Sequence, residues 1–393
     1  MAYPIPVQTF ARTTSDREYS RELAAGGYVL APRSWNTPAT ASESTLHQLA
    51  PYIGKLKSTI AKDLVQQYSR PGDLIVDPFS GSGTIPLEAA FAGRRVIASD
   101  ISSYAATLTK AKLTASATVE VAEADAERLL SAAEAGSPVD LRHVPAWVRQ
   151  YFHSRTLKAA IAFARTCRAE NNHFLMACLL GILHHQRPGF LSYPSSHLVP
   201  YLRYRKYPRT RFPEMYEYRP LRPRLMAKVR RAFRRTLPLK SPATFVRIPV
   251  EQLKLPNGFD ALITSPPYMN ALDYGRDNRL RLWFLEERTD FDTDDRYNSC
   301  AAGFTRQMVA VAKLCQNGLA VDGRCVLIVG ESVSRGQTVH PAEHVVRIFQ
   351  TCAPSLILET TIVDSIPDVR RARRDYRGVK TEQILVFRNR QCR

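Results

Sequence analysis

Apolar positions Ile60, Leu64 and Val65 recur at helical spacing between Ser58 and Tyr68, and the turn Arg70-Pro71-Gly72-Asp73 then leads into the wholly apolar Leu74-Ile75-Val76. The pattern predicts helix, turn and buried strand. A second helix is expected from Ile85 to Phe91, closing at Gly93, and a second strand from Arg95 to Ala98, ending at Asp100. The chain then reads as helical for a long way, over Ala105–Leu113, Ala122–Ala135 and a strongly apolar Leu157–Leu183. Seven prolines between Arg187 and Arg224 exclude a long helix there, and Met226–Thr236 follows as a basic helix. Strand patterns resume at Phe245–Ile248, Ala261–Thr264, Cys325–Val329, Thr360–Val363 and Glu382–Phe387, with a helix at Met308–Leu319. No internal repeat is visible. The simplest assembly is one doubly wound, Rossmann-like α/β domain of residues 46–126 and 241–393. A large helical, basic insertion (127–240) interrupts it, and residues 1–45 form an extended or partly ordered arm to which no function is assigned.

Two loops carry chemistry. The first strand ends in Asp77-Pro78-Phe79-Ser80-Gly81-Ser82-Gly83-Thr84, where glycines let the backbone come close to a ligand with its amides aimed at it. Neither the Gly-Lys-Ser/Thr of a P-loop nor Gly-x-Gly-x-x-Gly is present. An acid at the strand end, Asp77, can hold a cationic amino group, and one at the end of the next strand, Asp100, is placed to accept from ribose hydroxyls. The second loop, Ser265-Pro266-Pro267-Tyr268, follows a buried strand at the edge where open α/β sheets bind ligands. Two prolines stiffen the backbone and remove two amide donors, leaving carbonyl oxygens free to accept from an amino group.

Together these loops resemble the amino-methyltransferase family, whose cofactor motif is Asp-Pro-Phe-x-Gly-Ser-Gly-Thr. The resemblance covers a little over half the chain, with the cofactor loop first, the insertion second and the catalytic motif third. It implies S-adenosylmethionine as cofactor. Asp77 would lie at the methionine end, Pro78, Phe79, Gly81, Ser82, Gly83 and Thr84 would wall the site, and Asp100 with Ile101 would meet the ribose. The segment His47–Lys55, with Tyr52 and Lys55, is similar to the family's stretch that closes over the cofactor. Asp77→Ala or Gly83→Val should then abolish cofactor binding in a folded protein. At the second loop the implied roles are Ser265 and Pro266 accepting from an exocyclic base amine, Pro267 stiffening the turn, and Tyr268 stacking on a flipped-out base. The Ser form of this motif is associated mainly with cytosine-N4 in DNA, while adenine-N6 stays open, and the modification half of a restriction system is a setting it fits. Cytosine-C5 chemistry is disfavoured, because no Pro-Cys pair occurs. A protein-glutamine methyltransferase would begin the motif with Asn. A binding module that keeps this fold without turnover is the rival from another class.

Composition sharpens the choice of partner. The 393-residue chain carries a formal charge of +19, and fourteen Lys or Arg stand between Tyr201 and Lys240 against only Glu214 and Glu217. Tyr201, Tyr204, Arg203, Arg205, Lys206, Arg209 and Arg211 alternate rings with cations there, which suits stacking on bases and neutralising phosphates. DNA is the expected partner, with RNA open because charge does not separate the two. Arg370, Arg371, Arg373, Arg374 and Arg377 form a second basic loop. Seven cysteines show no metal or disulfide spacing, and His184 and His185 lack a ligand or nucleophile partner, so no metal is expected. The longest apolar run, Phe174–Leu183, is about half a membrane span, and residues 1–20 lack an apolar signal core, so a cytoplasmic protein without membrane contact is expected. Oligomeric state is not legible.

Overall fold

The structure, a computed structural model, describes residues 27–36, 43–184, 190–192, 208–269, 274–288, 300–330, 332–334, 337–339, 341–366 and 381–390. Its strands are β1 (Tyr28–Leu30), β2 (Leu74–Asp77), β3 (Arg95–Ser99), β4 (Ala243–Val246), β5 (Phe259–Thr264), β6 (Leu319–Gly330), β7 (Ser332–Ser334), β8 (Gln337–Val339), β9 (Leu356–Ser365) and β10 (Thr381–Asn389). The helices of eight or more residues are α1 (Ser58–Tyr68), α2 (Thr84–Phe91), α3 (Ser103–Leu113), α4 (Val119–Ala135), α5 (Ser154–Ala169), α6 (His173–Ile182), α7 (Leu221–Ala232), α8 (Tyr274–Glu286), α9 (Ala301–Gly318) and α10 (Pro341–Cys352).

Eight strands form one sheet in the order β1-β9-β10-β6-β5-β2-β3-β4, beside a separate β7-β8 hairpin. The pairs from β6 to β4 are parallel, as is β1 with β9, whereas β10 runs antiparallel to both β6 and β9. From β2 the chain builds outward on one side through β3 and β4, then crosses to the other side at β5. The carboxyl ends of β2 and β5 therefore flank the point where strand order reverses, which is where an open α/β sheet leaves a crevice.

Strand alternation explains the layers. Ile75, Ile263, Val326 and Ile384 share one core with α1 and α2, while Val76, Leu262, Leu327 and Leu385 share another with α9 and α10. A third apolar cluster joins α4 to α7 with α3, α8 and the residues Leu87 and Phe91 of α2, so the helical segment shares one core with the sheet's flanking helices.

Several expectations shift. The apolar run Leu157–Leu183 is two helices, because Asn171 takes a left-handed φ of 53° and Asn172 accepts from the Leu175 amide at 2.9 Å as an N-cap. The basic helix begins at Leu221 rather than Met226, since Pro223 lies in its first turn, where no amide bond is lost. Helices α8 and α10 were not expected. In the arm, Tyr28–Leu30 pairs in parallel with β9. His184 bonds Ser192 Oγ at 3.1 Å, a structural contact, and His185 lies outside the described residues. No helix among the described residues is long and apolar enough to cross a membrane, and no group of metal-binding side chains is found among them.

Candidate functional site

A cavity of about 1050 Å³, counted with its open mouth, lies at the switch point between β2 and β5. Its floor is the loop that leaves β2. Asp77, Pro78, Phe79, Gly81, Ser82 and Thr84 line it, and Asp100 and Ile101 after β3 form one wall with Tyr52 and Lys55. Ser265 and Pro267 reach the same cavity from the end of β5. Thus the two loops, far apart in sequence, meet because their strands are neighbours.

A hydrogen bond joins them directly. The Thr264 hydroxyl donates to Asp77 Oδ1 at 2.6 Å, and the Phe79 amide adds a longer bond of 3.3 Å. Asp77 is only 1% exposed. Its burial outweighs both bonds and pushes the carboxyl pKa up to about 7. Asp100 is also raised by burial, against the pull of the Ser102 and Gly81 amides, each donating to it at 2.9 Å. Among the described residues no Lys or Arg forms an ion pair with either acid. Buried Asp77 and half-buried Asp100 face the cavity without an ion-pair partner, and Lys55 on the same wall is bonded to the His47 carbonyl, so the two acids form a donor set suited to a ligand with a cationic amino group and hydroxyls.

The loop corrects two sequence expectations. Its amides are largely satisfied within the protein: Ser80 donates to the Ser99 carbonyl at 3.0 Å, Gly81 to Asp100, and Gly83 to the Ser80 carbonyl at 2.7 Å. They shape the cradle rather than aim at the ligand. Gly83, alone of the predicted cofactor residues, does not line the cavity. It has φ +73°, and a Cβ there would stand 2.9 Å from the Thr109 backbone in α3. Gly83 therefore serves helix packing, and Gly83→Val should destabilise the whole chain by about 2 kcal/mol or more, read as a fall in the unfolding midpoint. A Cβ at Gly81 would instead press on the Tyr52 ring at 3.3 Å, so that ring lies over the loop.

The segment leading to Tyr52 is pinned from several sides. Lys228 Nζ donates to the Gln48 carbonyl at 2.7 Å and Lys55 Nζ to the His47 carbonyl at 2.9 Å. His47 Nε2 meets Glu88 Oε1 at 2.7 Å, and buried Lys112 donates to the Ser82 carbonyl beneath the loop. Burial lowers His47 and raises Glu88 to about 7. Lys55 thus lines the cavity while its ammonium ties the segment to itself.

At the second loop the structure differs from the stacking role expected of Tyr268. Its ring is 9% exposed, outside the cavity lining, and its hydroxyl donates to Glu382. Pro266 is also buried outside the lining. The rings that do face the cavity are Tyr52, Tyr274 and Phe79. Tyr274, Gln307 and the Ile248–Glu251 stretch after β4 were missed by sequence reasoning. Gln307 is 5% exposed and its Oε1 has no partner, an acceptor kept for the cavity. No local signal marks these positions; topology alone brings them in.

Of the expected nucleic-acid contacts, Arg209 is exposed yet donates to the Phe152 carbonyl at 3.0 Å and stacks on Tyr216, so it braces its own segment. Arg211 is exposed. Tyr201, Arg203, Tyr204, Arg205 and Lys206, with Arg370–Arg377, lie outside the described residues.

Residues 48–144 match the protein-family model described as RMKL-like, methyltransferase domain. No curated protein matches the sequence significantly. Among solved structures, TrmN from Thermus thermophilus aligns with 88% of this chain at 13% identity and TM-score 0.35, and the chain spans 53% of its length. A TehB-like SAM-dependent methyltransferase from Corynebacterium glutamicum aligns over 95% of this chain and 100% of its own, at 10% identity and TM-score 0.32. The rRNA methyltransferase aviRa from Streptomyces viridochromogenes aligns over 92% and 94%, at 13% identity and TM-score 0.31. At such scores the fold assignment rests on the sheet itself, with its reversal at β2 and its antiparallel β10. That sheet is Rossmann-like, and the matched segment within it is similar to a methyltransferase domain.

Proposed function

We propose that the chain transfers the methyl group of S-adenosylmethionine to an exocyclic amino group of a base in DNA, with cytosine N4 as the first target. The observation that carries this reading is the Thr264–Asp77 bond, which brings Ser265 and Pro267 into one cavity with the cofactor loop. The cofactor supplies an activated methyl group on a sulfonium, so the protein's work is placement and electrostatics. Asp77 binds the cationic amino group, Asp100 the hydroxyls, and the Tyr52 and Phe79 rings cover the cradle. The Ser265 hydroxyl accepts a hydrogen bond from the base amine and draws its nitrogen out of the ring plane, which frees the lone pair. No nucleophilic cysteine takes part, and the free cysteines among the described residues lie outside the cavity lining.

Residues 127–240 then act as the target-recognition insertion. Replacing Arg203, Arg205 and Lys206 together by Ala is expected to weaken nucleic-acid binding and flatten its salt dependence by about one unit of log-log slope for each phosphate no longer neutralised, with cofactor affinity unchanged. An unchanged slope would move recognition elsewhere. The substrate itself is tested by methyl transfer from labelled S-adenosylmethionine to DNA and RNA of matched sequence. Label on DNA cytosine N4 is expected. Label on adenine N6 or on RNA alone would replace the substrate in this reading, and cofactor binding without transfer to any nucleic acid would replace the function.

A further inference from the structure

β10 is the strand that runs against its neighbours, so its first residues stand at the carboxyl edge of the parallel strands, the edge that holds the cavity. Glu382 is the second residue of β10 and lies opposite Gly330, the last residue of β6. It is buried, as a carboxylate rarely is without a purpose-built partner. Across the edge, 114 residues away in sequence, the Tyr268 hydroxyl donates to Glu382 Oε1. Tyr268 is buried too, and it follows directly on the two prolines whose neighbour Ser265 faces the cavity. The bond therefore ties the stiff tetrapeptide to the last strand of the sheet at one end, while Thr264 ties it to Asp77 at the other.

We propose that Glu382 is a positioning residue for methyl transfer: by accepting from Tyr268 it fixes the segment 265–268 so that Ser265 meets the substrate amine in line with the cofactor. This rests on the function proposed above. Burial and the neighbouring Glu382 both raise the Tyr268 pKa well above its ordinary value, so the phenol remains a donor throughout the working range.

The test uses Glu382→Leu, which removes the acceptor, Glu382→Gln, which keeps a carbonyl acceptor without charge, Tyr268→Phe, which keeps the ring, and the Leu/Phe double variant. Denaturant unfolding without substrate should show coupling of about tenfold or more in the unfolding equilibrium constant across the cycle. In methyl transfer, Glu382→Leu and Tyr268→Phe should each lower kcat about tenfold or more, with the double variant no lower, KM for nucleic acid within about twofold, and Glu382→Gln restored to within about threefold of the wild type. Multiplicative losses, or coupling in unfolding with kcat untouched, would overturn the proposal. A Glu382→Gln as slow as Glu382→Leu would overturn it as well, by showing that the charge itself is used. If Glu382→Leu does not fold, Tyr268→Phe carries the kcat test alone. A wild-type chain that methylates no nucleic acid would sink the proposed function, whereas absent coupling in unfolding would sink the role of Glu382, so the two failures are separable.

Discussion

Asp77→Asn is expected to weaken S-adenosylmethionine binding about a hundredfold at pH 8 while making the cofactor-free chain more stable. Both effects follow from one buried carboxyl. With a folded pKa of about 7 against an ordinary value of 3.8, the folded chain holds a proton that the unfolded chain has released. Asp77 therefore contributes stability that is fully present below about pH 4 and is lost as pH rises through 7. Above pH 7 the folded protein carries an ionised acid in a dry site, and Asn removes that burden while still accepting from Thr264. Cofactor binding runs the opposite way, because a cationic ligand needs the ionised acid, so wild-type affinity should climb between pH 6 and 8. In Asp77→Asn that climb should vanish. Glu88, also pushed up to about 7, keeps its own share of the stability trend in both proteins. Calorimetric titration and thermal unfolding across this pH range read the two effects, and an Asn variant that binds as tightly as the wild type would remove Asp77 from the cofactor site.

Ser265→Ala should lower kcat roughly a hundredfold and leave cofactor affinity within about twofold. Single preorganised hydrogen-bonding groups at a reacting centre are commonly worth roughly 10² to 10³ in rate. The serine is half-buried at the cavity wall, so the loss of one oxygen does not open a core cavity. Tyr268→Ala is a poorer probe, since deleting a buried ring costs about 3 to 5 kcal/mol of stability and blurs chemistry with unfolding. Steady-state kinetics at saturating cofactor, beside a binding isotherm, separates the terms. A Ser265→Ala enzyme with wild-type kcat would take the amine contact away from this loop.

What the sequence made legible is what is local. The strand, glycine loop, helix, strand and acid from Leu74 to Asp100 can be read because each step is encoded by its own residues and neighbours. The helix α10 went unread although its signal is local: Ala342, Val345, Ile348 and Phe349 fall on one buried face behind Pro341 at the first helical position. Helix α8 was not legible, because Arg279, Leu280, Arg281 and Leu282 alternate as a strand would. Three features of the site depend on long-range contact and left no trace in local pattern. Gly83 looks like a ligand-facing glycine until Thr109 is brought against it. Tyr268 looks like a stacking ring until β10 delivers Glu382 to its hydroxyl. Gln307 looks like an ordinary helix residue until α9 lays its unpartnered oxygen on the cavity.

The proposed chemistry is methylation of an amino group of a nucleic-acid base in this cavity. It is tested most directly by expressing the wild type and Ser265→Ala in a host, digesting total DNA and RNA separately to nucleosides, and identifying methylated bases by mass spectrometry. N4-methylcytosine is expected in DNA from wild-type cells, at a level that Ser265→Ala reduces about a hundredfold. No amino-methylated base above the Ser265→Ala background in either DNA or RNA would contradict it.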